Sequence, residues 1–162
     1  MTKQEFNKAL KELNLTKKEF CEKLRIKSIT LENNWGIKYP IPYYAISWLE
    51  IYKTAQKYEQ FIEILKNHHD LNNIIKEKPK ETSQFFKRKD FDLKLKALNL
   101  TRREFCQKVG IAYSTPNSWD KYSPIPLWVE AWLNTYENAE NFKKLEIFFQ
   151  NIFKNQKPIF AE

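Results

Sequence analysis

Glycine is scarce in this chain, with only two in 162 residues. Hairpins, phosphate-cradling loops and strand-rich sandwiches depend on glycine for their tight turns, so an all-α fold is favoured from the outset. Cysteine is equally scarce, and two thiols, Cys21 and Cys106, do not make a disulfide framework. No apolar run approaches the roughly 20 residues of a membrane span. Residues Met1 to Leu10 carry no apolar signal core, so the expected compartment is a reducing cytoplasm, with no membrane partner. His68 and His69 are the only histidines, and no ligand set accompanies them at zinc spacing. A Gly-rich phosphate loop and a nucleophile–base pattern are also missing. Neither an enzyme nor a bound metal or cofactor is expected.

Aromatic residues, by contrast, make up 15% of the chain and hydrophobic ones 42%, enough for genuine cores. The net charge is +8, a sign that suits a polyanionic partner without identifying one. Richness in Lys, Asn, Ile and Phe hints at an AT-rich genome, bacterial or phage.

The chain also repeats itself. Leu13-Asn14-Leu15-Thr16-Lys17-Lys18-Glu19-Phe20-Cys21 returns as Leu98-Asn99-Leu100-Thr101-Arg102-Arg103-Glu104-Phe105-Cys106, and the two departures are Lys for Arg. Trp35 with Pro40-Ile41-Pro42 returns as Trp119 with Pro124-Ile125-Pro126. Trp48-Leu49 matches Trp132-Leu133, and Tyr52 matches Tyr136. The offset is 85 at first and 84 later, so the first copy holds one extra residue between Ile26 and Trp35. Between the copies, Lys76 to Ser83 is charged, contains Pro79 and lacks apolar residues, which marks a linker. The expected organisation is a first domain over 1–75, a linker over 76–88 and a second domain over 89–162.

Within the second copy, Phe91, Leu93, Leu95 and Leu98 suggest a first helix over 89–98. Thr101 with Glu104 three residues on makes a capping box for a second helix that carries Phe105, Cys106 and Val109. Gly110 ends that helix in a left-handed conformation. A short third helix begins within Tyr113 to Trp119, with Pro116 tolerable only in its first turn. Leu127, Trp128, Ala131, Trp132 and Leu133 form the stripe of a later helix, which either continues or breaks near Ala139. Cys106 four residues before Gly110, Ile111 directly after it and Trp119 eight beyond it together suit two helices crossing closely at a short turn. Cys21 and Cys106 read as small core residues, and the Trp and Tyr stripes as core.

This arrangement resembles the lambda-repressor-like helix-turn-helix family, carried in the second copy by Thr101, Cys106, Gly110, Ile111, the polar run Tyr113 to Ser118, and Trp119. The first copy departs from the pattern at Arg25, where the turn glycine is expected, and at the extra residue, so a distorted turn is expected there, with a copy that is either the weaker reader or turned to another job. The resemblance implies two tandem helix-turn-helix domains of four to five helices each. It also implies a partner, double-stranded DNA, and a role in transcription regulation. The third helix of each copy would enter the major groove while the second crosses the backbone.

Carried over by position, base readers are Tyr113, Ser114, Asn117 and Ser118 in the second copy, and Ser28, Ile29, Glu32 and Asn33 in the first. Phosphate contacts are Thr101, Arg102, Arg103 and Lys121, with Thr16, Lys17, Lys18 and Lys38 as counterparts. Two units in one chain would act as a built-in pseudo-dimer on two half-sites. The alternative is a protein-interaction module on the same scaffold, for example a mobile-element protein binding a host factor. In that case the apolar tail from Phe142 to Phe160 is the contact surface or a homodimer face.

Overall fold

The computed structural model describes residues 1–67 and 86–154; of the expected linker over 76–88, residues 76–85 lie outside the described residues, as does the tail from residue 155, and Arg88 already belongs to a helix. Among the described residues the fold is all-α, with eight helices and no strand. They are α1 (Lys3–Glu12), α2 (Lys17–Leu24), α3 (Ser28–Asn33), α4 (Tyr43–Asn67), α5 (Arg88–Ala97), α6 (Arg102–Val109), α7 (Thr115–Ser118) and α8 (Leu127–Lys154). The order short, short, short, long occurs twice and gives two units.

Local chemistry sets the helix starts. Thr16 and Thr101 each accept the amide of the glutamate three residues on, and that glutamate returns a carboxylate to the threonine amide at 2.8 Å. Thr2 and Glu5 do the same for α1. Removing one such hydroxyl, as in Thr101→Ala, should cost about 1 kcal/mol, visible as a lowered urea midpoint at unchanged slope.

The ends of α2 and α6 correct one expectation. Gly110 takes the left-handed conformation, φ 67° and ψ 39°. Arg25 takes it as well, at φ 55° and ψ 44°. The closing bond from the next residue is the same in both units, Ile26 N to Cys21 O at 2.9 Å and Ile111 N to Cys106 O at 3.0 Å. The first turn is therefore undistorted, although a side chain there is sterically disfavoured. The extra residue of the first unit falls instead between Leu31 and Trp35, at the end of the next helix, since Leu31 and Pro116 occupy equivalent buried positions ahead of it. At its start α3 begins two positions earlier than α7, so it runs six residues against four.

Each unit has the same aromatic centre. Phe6, Phe20, Trp35 and Trp48 meet edge to face in one, with centroids 5.2 to 6.4 Å apart. Phe91, Phe105, Trp119 and Trp132 repeat this in the other, at 5.2 to 6.4 Å. Cys21 and Cys106 are free thiols buried beside these rings, and burial raises the pKa of both. Packing of this kind suits them and nucleophilic chemistry does not.

The two units are joined along α4 and α8, which lie parallel and in register. Tyr44 stacks on Trp128 with centroids 4.2 Å apart, Lys57 lies over the Phe142 ring, and Phe61 meets Phe149, so contacts ascend together along both helices. At about 1.5 Å per residue, α4 is roughly 37 Å long. Its inward residues Tyr44, Trp48, Ile51, Ala55, Tyr58, Ile62 and Leu65 alternate steps of four and three, the seam spacing of a two-stranded coil. Across from them α8 sets Trp128, Trp132, Thr135, Ala139 and Phe142. Ala139 is fully within the seam, which is why α8 continues through it without a break.

At the centre, Trp48 Nε1 donates to Thr135 Oγ1 at 2.9 Å, and Trp132 Nε1 donates to Ser47 Oγ at 3.3 Å. Both indoles are completely buried, and each takes its hydroxyl from the opposite unit. The buried side chains of both units form one continuous core.

Candidate nucleic-acid interface

The ends of α2 and α6 rest on the opposite unit. Arg25 forms an ion pair with Glu130 in the first turn of α8. Gly110 abuts Tyr43, the first residue of α4, so closely that a Cβ there would lie 2.6 Å from the tyrosine Cβ. The pseudo-twofold axis runs along the helix pair, and it therefore holds both turns, and the short helices that follow them, at the same end of the molecule.

On α3 the four residues singled out in the sequence share an exposed face. Ser28, Ile29, Glu32 and Asn33 are all exposed, and Leu31 anchors the opposite side in the core. Lys3 Nζ reaches the Glu32 carbonyl at 3.4 Å and steadies the helix end. The α7 side is different. Tyr113 and Ser114 precede the helix, in the turn, and Asn117 is exposed on its single turn. Ser118 does not join them. It is half-buried, and its hydroxyl donates to the Thr115 carbonyl at 2.8 Å. Pro116 is fully buried and fills the place of Leu31.

The phosphate candidates also separate into two sets. Lys17, Lys18, Arg103, Lys38 and Lys121 are exposed. Lys18 has only a loose, solvent-exposed pairing with Glu22 at 3.9 Å, and the Lys121 ammonium lies 4.8 Å from the Tyr122 ring centre. Thr16 and Thr101 are less available than their positions suggest, because each hydroxyl also donates to its cap glutamate at 2.7 Å. The Thr16 hydroxyl and amide lower the pKa of the Glu19 carboxyl, and the Thr101 amide and hydroxyl do the same for Glu104. Each helix start thus already carries an anion of the protein's own. Arg102 is held by Asp92 in a two-pronged pair, Nε to Oδ1 at 2.9 Å and Nη2 to Oδ2 at 2.7 Å. The first unit has no equivalent, since Asn7 and Lys17 stand at those positions.

Three exposed side chains beside the candidate faces were not foreseen: Ile37, Tyr39 and Tyr122, at 61%, 65% and 76% exposure. They sit in tight loops closed by Gly36 N to Tyr39 O at 2.7 Å and Asp120 N to Ser123 O at 2.8 Å. Both loops turn on a positive-φ residue, Gly36 in one and Asp120 in the other. A Gly or Asp between the core tryptophan and Pro-x-Pro was the available signal.

The apolar tail is divided. Phe142 and Leu145 are half-buried, while Phe148 and Phe153 are exposed at 57% and 63%. Among the described residues no helix is long and apolar enough to cross a membrane, and no cluster of side chains suits a metal ion. No protein-family model, curated protein or solved structure matches the chain.

Proposed function

We propose that this chain binds double-stranded DNA sequence-specifically and regulates transcription, with α2–α3 and α6–α7 as two helix-turn-helix readers built into one pseudo-dimer. The observation that supports this most is the parallel pairing of α4 and α8. It places two exposed polar faces, each beside an exposed basic cluster, at one end of the molecule in dyad relation. A duplex has the same local dyad symmetry, so two faces so related suit inverted half-sites about one helical turn apart. Lys17, Lys18 and Arg103 make phosphate contacts that set affinity, and α3 and α7 face base edges. The net charge of +8 favours encounter with the polyanion.

The test is a titration of random and selected duplexes at two salt concentrations, comparing the protein with its Lys18→Ala/Arg103→Ala variant. Both substitutions are exposed and leave the cores untouched. Affinity should fall roughly tenfold, and the slope of log K against log salt should flatten by about two contacts' worth. Equal binding by the two proteins would remove the basis of this reading.

A second reading, a protein-interaction module, is favoured by Phe148 and Phe153, exposed at the far end of α8. An interaction made there, with a host factor or a second copy of the chain, would survive the same two substitutions.

A further inference from the structure

We infer that the two readers divide the work: sequence discrimination resides in the α3 face, and the α7 unit is mainly a phosphate anchor. This rests on the DNA-binding reading above and reverses the expectation that Arg25 weakens the first unit.

Four observations carry it. First, α3 has six residues and α7 has four. A major-groove reader needs side chains from successive turns on one face, and only α3 provides them, at Ser28, Ile29, Glu32 and Asn33. Second, the α3 face is chemically selective. A carboxylate such as that of Glu32 only accepts hydrogen bonds, which on a base edge suits the cytosine amino group. Ile29, 60% exposed, offers an apolar contact for a thymine methyl. A carboxylate beside phosphates is unfavourable anywhere else in the groove, so Glu32 rejects wrong sequences as well as accepting the right one.

Third, the α7 helix carries fewer readers. The Ser118 hydroxyl is satisfied within its own turn, so Asn117 is left on the helix with an exposed amide, and exposed Tyr113 and Ser114 stand in the turn before it. Fourth, what surrounds α7 is basic and partly fixed. Arg103 and Lys121 are exposed, Arg102 is held by Asp92, and Arg88 Nη1 reaches the Asn117 carbonyl at 3.5 Å. Such groups position a duplex without distinguishing bases. The bound site should therefore contain one informative half, with a cytosine and a thymine under α3, and one degenerate half.

The experiment is selection from a random duplex pool with three full-length proteins: the unaltered chain, Ile29→Ala/Glu32→Ala/Asn33→Ala, and Tyr113→Ala/Asn117→Ala. All five side chains are exposed, and circular dichroism checks that each variant is folded. The unaltered chain should enrich one half-site. The α3 variant should lose that enrichment, with its preference for the selected over a random duplex falling tenfold or more, while it still binds random duplexes at low salt. The α7 variant should keep the motif within about twofold of the original preference. Two equally informative half-sites, or a motif abolished by the α7 substitutions, would overturn the division of work. Failure of the unaltered chain to retain any duplex at low salt would overturn the DNA-binding reading itself, and this inference with it.

Discussion

Replacing Trp132 with alanine is expected to destabilise the molecule by about 3–5 kcal/mol, in a single transition shared by both halves. Trp132 is fully buried. It meets Phe105 edge to face at 5.6 Å and stacks on Tyr136 at 5.2 Å. Its loss leaves a cavity that close-packed rings fill poorly, and it also strands the Ser47 hydroxyl, which is 6% exposed and has Trp132 as its donor. Because Ser47 belongs to the first unit, the damage crosses the seam. Amide hydrogen exchange checks this. Protection should fall together in residues 1–67 and 86–154. Protection lost from the second unit alone would mean that each unit is stable without the other.

The second large effect is at Gly110. An alanine there should cost about 2–4 kcal/mol, combining the left-handed penalty with overpacking. The residue has φ +67°, and a Cβ would lie 2.6 to 2.7 Å from the Cβ, Cγ and Cδ1 of Tyr43. These are atoms of another helix in the opposite unit; the Tyr43 ring is 52% exposed and can swing aside, but its Cβ is fixed by the α4 backbone. Adding Tyr43→Ala removes the ring contacts but not the Cβ contact, so recovery should be partial. At the equivalent position Arg25→Ala should cost less than about 1 kcal/mol, because a side chain is already accommodated there and only a partly exposed ion pair with Glu130 is lost. Thermal melts of these three variants check the order. Similar losses for Gly110→Ala and Arg25→Ala would show that Tyr43 yields easily.

Much of the local structure was legible in the sequence. The capping boxes at Thr16 and Thr101 needed only the spacing to Glu19 and Glu104. Gly110 marked a helix end, and Cys21, Cys106, Trp35 and Trp119 could be assigned to cores from their place around the turn. Three features could not be read. Arg25 gives no local signal for the left-handed conformation, because its ion-pair partner is 105 residues away. The stripe on α4 shows its periodicity in the sequence but not its partner, since an apolar seam accepts any helix of the same spacing; only packing assigns it to α8. Arg102 looked like a free cation until folding brought Asp92, on a different helix, to its guanidinium. Side-chain availability on the candidate faces is set by such tertiary partners, so base-facing Ser118 and phosphate-facing Thr16 and Thr101 looked more available than they are.

The hydroxyls at the seam carry a further consequence. Ser47 serves a tryptophan from the equivalent position of Trp48, and Thr135 serves one from the equivalent position of Trp132. Each unit by itself therefore holds one indole and one hydroxyl that would satisfy a twin of itself across the seam. The chain has the logic of a homodimer made covalent. Two separate subunits pair only as far as their concentration allows, whereas halves on one chain meet at a fixed effective concentration however dilute the protein becomes. A cell holding a handful of copies would still hold them all assembled. Once partnership no longer depended on being identical, Glu32 and Asn117 could come to occupy corresponding places in a single molecule.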